Sequence, residues 1–164
     1  MKHTAQHLGK SQHGVYAVEW AIVFPVFFML LYALLSYSLA FLVRESMQLA
    51  VEDGARAALQ YQHTRTQRLD NARSVVQQRL SWLPVSLRPS ASAIQVTLCR
   101  LANGEACAVD LLCGAETTNR CFVRVQLDIG YGQHPLAPAI PYLGVLVPQT
   151  LTASASVLAD TGGL

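Results

Sequence analysis

Residues 13–43 read HGVYAVEWAIVFPVFFMLLYALLSYSLAFLV. From Ala21 to Val43 there are 23 residues without a charge. As a helix rising about 1.5 Å per residue, that run crosses a hydrocarbon core of about 30 Å with some tilt. Arg44 and Glu45 end it. Pro25 lies inside the run, lacks a backbone N–H, and predicts a kink. The competing reading is a buried core helix. A chain of 164 residues has too small a domain to cover so long and uniformly apolar a helix on every side.

On the N-terminal side, Met1 to Gly14 is polar and mildly basic, with Lys2, Lys10, His3, His7 and His13. It has no apolar run of its own, so it does not read as a secretory signal peptide. The apolar segment that follows reads as permanent. Charge does not orient the span, because Lys2 and Lys10 precede it while Arg44 and Arg56 follow it. The four cysteines all lie from Cys99 to Cys121. Clustered cysteines in even number belong on an oxidising side, which places the N-terminus in the cytoplasm. The formal net charge of +2, with no cluster of basic residues among aromatics, argues against a nucleic-acid partner.

On the C-terminal side, Glu45 to Leu59 keeps helical spacing. Met47, Ala50, Val51, Gly54, Ala55 and Ala58 form a narrow stripe of small and apolar residues, opposite Glu45, Gln48, Glu52 and Arg56. Such a stripe admits another helix at close range, or it packs on the C-terminal domain. Gln60 to Gln67 reads as a break. Leu69, Ala72, Val76 and Leu80 then share one face of a second helix, with Arg68, Arg73 and Arg79 elsewhere, and Pro84 stops it. Beyond Pro84 the period changes. Ile94, Val96 and Leu98, then Val123, Val125, Leu127 and Ile129, then Leu151, Ala153, Ala155 and Val157 alternate with polar residues and predict three half-buried strands. Leu143 to Val147 offers a fourth short one. The expected class is α+β: a long N-terminal transmembrane helix continuing into an amphipathic helix, then a small antiparallel β-sheet domain. The expected divisions are 1–14 leader, 15–43 span, 44–83 amphipathic helical segment and 84–164 exported domain.

Glu19 needs a reason, because a charge in hydrocarbon costs roughly 2.5–3.5 kcal/mol on insertion scales. One reading puts it in the headgroup layer, where the cost is small. The other uses Gly14 as a cleavage site. Cutting between Gly14 and Val15 creates an α-amino group four residues before Glu19, on the same helix face. That amine, or a neighbouring subunit's, would compensate the carboxylate.

A glycine, four residues, a glutamate and an aromatic, running straight into an apolar helix, resembles the type IV prepilin processing motif. VYAVEWAIVFPVFFMLLYALL resembles the start of TadE-like proteins. Val51-Glu52-Asp53-Gly54-Ala55-Arg56-Ala57-Ala58 resembles the segment that follows their span, and LTASASVLAD resembles their last strand. The resemblance implies a pilin-like pseudopilin of the tight-adherence system that builds Flp pili. It implies removal of the leader after Gly14 by a prepilin peptidase, with Glu19 and Trp20 as the assembly and processing motif. The implied partners are that peptidase, other pilin-like subunits, assembly-platform proteins and the membrane, with no small-molecule substrate. The implied place is the bacterial inner membrane, with a periplasmic C-terminal domain. Two residues depart from the family pattern: the leader ends Gln12-His13 instead of in a basic residue, and Trp20 stands where phenylalanine is commoner. Major Flp pilins are much shorter, so the chain does not fit that role.

The cysteine spacing is C-x7-C-x5-C-x7-C, at Cys99, Cys107, Cys113 and Cys121. With no C-x-x-C pair and no histidine between them, zinc is disfavoured, and disulfides are expected. Three connectivities are open. Pairing of the first two strands would set Cys99 beside Cys121 and leave Cys107 to close the loop with Cys113. No hydrolase, metalloprotease or phosphate-loop motif is present, and His134 sits among prolines and glycines. A non-enzymatic protein without a cofactor is expected. The alternative function is an uncleaved, single-pass anchored binding or adhesin protein.

Overall fold

The computed structural model describes residues 13–101, 107–108, 113, 120–137 and 148–159, with side chains described from Tyr16 onward. The fold is α+β. Helix α1 spans His13–Ala57 as one element of 45 residues that runs through Pro25. Helix α2 spans Arg65–Arg79. Among the described residues four strands follow: β1 Ile94–Arg100, β2 Cys107–Ala108, β3 Cys121–Ile129 and β4 Leu151–Ala159. They form one antiparallel sheet in the order β2-β1-β3-β4.

Helix α1 has two environments. From Tyr16 to Leu31 every side chain is exposed. It is long and apolar enough to cross a membrane. Burial begins at Ala40 and continues through Val43, Met47, Ala50, Val51, Ala55 and Ala58. This buried stripe recurs every three or four residues, as one face of a helix packed on a domain must. The partner of the small-residue stripe is therefore this chain's own α2 and sheet.

The chain reverses after Ala57. Ala58 N–H donates to Gly54 O at 3.0 Å and Leu59 N–H to Arg56 O at 3.0 Å. Thr64 then caps α2, its Oγ1 accepting from Gln67 N–H at 3.3 Å, which satisfies a helix donor that would otherwise lack a partner. Two contacts show that α2 runs back antiparallel to α1. Asn71 Nδ2 donates to Ala57 O at 3.4 Å, and Arg79 Nε meets Asp53 Oδ2 at 2.9 Å. Leu69, Ala72, Val76 and Leu80 are all buried, as the helical spacing predicts. Arg68 departs from that reading: it too is buried, at 8% exposure.

The three alternating segments form β1, β3 and β4. Their apolar members face the helices, while Gln95, Thr97, Arg124, Gln126, Thr152 and Ser154 lie on the other face. Cys107–Ala108 is a further strand among the described residues; the expected short strand at Leu143 to Val147 lies outside them. Leu80, Leu83, Ile94, Leu98, Val123 and Leu127 join Val43, Met47 and Val51 in one core. Gln48 Nε2 ties α1 to β4 by donating to Ser154 O at 3.2 Å. At the end of β3, Gly132 N–H donates to Gln149 O at 2.9 Å, which draws together the two ends of the connection into β4.

Candidate assembly site and disulfide tip

The N-terminal site is built on the first turns of α1. Helical geometry begins at His13, so the Gly14–Val15 bond lies within the first turn. From Val15 to Glu19 the helix rises about 6 Å, slightly more than one turn. Glu19 and Trp20 are both exposed, Trp20 at 66%, and so are Phe24, Phe27 and Phe28. Among the described residues Glu19 has no ion-pair partner. Phe24 packs against Phe28, with ring centroids 4.5 Å apart and the planes tilted by 46°. The carboxylate is therefore the single charge of an outward-facing, largely apolar stretch from Tyr16 to Leu31. Among the described residues nothing compensates it.

The cysteines form two disulfides, Cys99–Cys107 and Cys113–Cys121. This corrects the nested expectation of Cys99 with Cys121 and Cys107 with Cys113. The reason is register. Across β1 and β3, Cys99 stands opposite Phe122, while Cys121 stands opposite Arg100. Residues directly opposite share a face and neighbours along a strand alternate, so an offset of one places Cys99 and Cys121 on opposite faces of the sheet. Cys99 instead faces Cys107 directly across β1 and β2, with Cα atoms 4.0 Å apart. Cys113 reaches Cys121 from the loop, at a Cα separation of 5.7 Å.

Sequence reasoning named the residues of both places and set Gln48 on the polar face of α1, but gave it no partner. Its amide also donates to Glu52 Oε1 at 3.1 Å, so one side chain links the polar stripe of α1 to a β4 carbonyl. A glutamine among charged residues carries no pattern that would have marked it. His134 lies at the rim of a surface hollow beside Arg88 and Asp128.

Among the described residues, a long apolar helix whose second half packs on a four-stranded antiparallel sheet defines an α+β layout with a projecting apolar helix. Residues 14–56 match the family described as TadE-like protein, so the chain carries a TadE-like segment that begins at Gly14 and ends one residue before the end of α1. That match supports association with the tight-adherence, Flp-type pilus system, whose TadE-like proteins are structural. No curated protein and no solved structure matches the chain.

Proposed function

We propose that the protein is a minor pseudopilin of a tight-adherence pilus assembly system, supporting pilus biogenesis and surface adherence without catalysing a reaction. The observation that carries this reading is Glu19: an exposed carboxylate, without an ion-pair partner among the described residues, at the head of an apolar helix, five residues after the glycine where the TadE-like match begins. On this reading residues 1–14 are a leader removed by a prepilin peptidase, 15–43 span the inner membrane, and 44–83 form an amphipathic helical segment. Residues 84–164 are the periplasmic domain, a side supported by the two disulfides. The partners are the peptidase, other pilin-like subunits and the assembly platform.

Co-expression with a cognate prepilin peptidase tests it. The expected product begins at Val15, and Gly14→Leu blocks its formation. Normal maturation of the Gly14 variant overturns the assignment. A second reading, an uncleaved anchored binding or adhesin protein, draws on the helical start at His13, which leaves no extended backbone at the Gly14–Val15 bond. An intact N-terminus in the native host decides for it.

A further inference from the structure

We propose that the turn Ser81–Val85 is a second membrane contact, seated in the headgroup layer of the leaflet from which α1 emerges. The proposal rests on the reading that α1 spans a bilayer. The turn is well built. Leu83 N–H donates to Leu80 O at 3.1 Å, Leu87 N–H to Pro84 O at 2.9 Å, and Arg88 Nε to Leu83 O at 2.8 Å. Leu80, Leu83 and Leu87 point into the core, at 0%, 0% and 2% exposure. This fixed frame turns the two remaining apolar side chains outward, Trp82 at 49% and Val85 at 80% exposure. Water is a poor environment for an indole held open by a rigid turn, whereas the headgroup layer suits its apolar body and polar N–H.

The topology puts the turn at the right height. Because α2 is antiparallel to α1, its C-terminal end points back toward the span. Gly54 of α1 lies against Ala72 and Val76 of α2, so at about 1.5 Å per residue Leu80 lies near the level of Gln48, about 6 Å from Arg44, where the uncharged run ends. The chain continues past Leu80 in the same direction, into the turn. Val43 is the last uncharged residue of the run. The turn therefore approaches the level of Arg44, and the headgroup layer extends on the order of 5–8 Å beyond the hydrocarbon on each side. The occupant is a lipid surface because the patch continues the surface that α1 already enters. Exposed Arg44 and Arg88 supply cations for lipid phosphates.

The test uses the full chain in vesicles of phosphatidylcholine and phosphatidylglycerol, with part of the phosphatidylcholine brominated near the ester end of its acyl chains. The protein has two tryptophans, so Trp20→Phe leaves only Trp82, and Trp82→Phe leaves only Trp20. Trp82 is expected to emit to the blue of the denatured protein, to lose most of its intensity to brominated lipid, and to be shielded from iodide. Red emission quenched by iodide and not by bromine overturns the contact. Trp20 reports on the span separately. If Trp20 is quenched by bromine and Trp82 is not, α1 still spans and only the second contact fails. If neither is quenched and alkaline carbonate strips the protein from the vesicles, the spanning reading and the contact fail together.

Discussion

A Cβ built on Gly54 would lie 2.5 Å from Cγ2 of Val76 and 3.2 Å from the carbonyl oxygen of Ala72. The two helices therefore meet at a spacing that only glycine admits. In an isolated helix, replacing glycine by alanine gains up to about 1 kcal/mol. Here steric overlap with a β-branched side chain and a backbone oxygen outweighs that gain. Gly54→Ala should destabilise the domain by about 1–3 kcal/mol, read as a lower midpoint in thermal unfolding of the detergent-solubilised protein. Adding Val76→Ala should recover part of the loss as a coupling of at least roughly 0.5 kcal/mol. A Gly54→Ala protein more stable than the parent would refute the close approach.

The disulfide pairing is checked by peptide mapping without reduction. Trypsin cuts after Arg100, Arg120 and Arg124, and a second cut before Asp110 separates Cys107 from Cys113. The peptide ending at Arg100 should be recovered linked to the one ending at Val109, and the one beginning at Asp110 linked to the one beginning at Cys121. The nested pairing gives different masses. Both bridges have a sequence separation of 8, so the chain-entropy contribution is the same for each, about 2–3 kcal/mol. Removing either pair with alanines should cost similar stability, and a difference must come from strain or packing in the folded state.

Glu19→Gln preserves shape and removes charge. If Glu19 pairs with the new amino group of a neighbouring subunit, low local dielectric makes that attraction strong, and unregistered helices leave both charges without partners. The variant should insert and be cut after Gly14, yet crosslink poorly to pilin-like subunits and yield fewer surface pili. Cleavage and crosslinking measured on the same membranes separate the two steps. Wild-type assembly by Glu19→Gln would make the carboxylate an interfacial residue and nothing more.

Thr64 closes the start of α2 through a single side-chain bond. Thr64→Ala should cost about 1 kcal/mol, and Thr64→Ser little. Equal stability of all three proteins in chemical denaturation would show that the cap contributes nothing in this context.

Much of this architecture is legible in the residues. The uncharged run from Ala21 to Val43 specifies a spanning helix by length and composition. The spacing of Met47, Val51, Gly54 and Ala58 specifies which face of α1 is covered, and strict alternation specifies β1, β3 and β4. What is not legible depends on register and on contacts distant in sequence. Strand β2 is too short to have a period, and it forms where Cys107 is held against Cys99. The pairing of the cysteines turns on a one-residue offset between β1 and β3, which no spacing rule reveals. Trp82 looks like part of a helix end in sequence; only the inward set of Leu80, Leu83 and Leu87 shows that it must face out.

The order of the disulfides decides how far the chain between β1 and β3 can be extended. The segment from Cys99 to Cys121, if unbridged, has a contour of about 75 Å at ~3.4 Å per residue. Each bridge short-circuits one arm, leaving Cα spans of 4.0 Å and 5.7 Å joined by the stretch from Cys107 to Cys113, about 20 Å when taut. The maximum extension falls to about 30 Å. A nested arrangement would have sealed the base of the loop and left no give at all. Under tension the sequential bridges act as a short leash: the loop can be pulled out by a limited distance, after which force passes directly into β1 and β3.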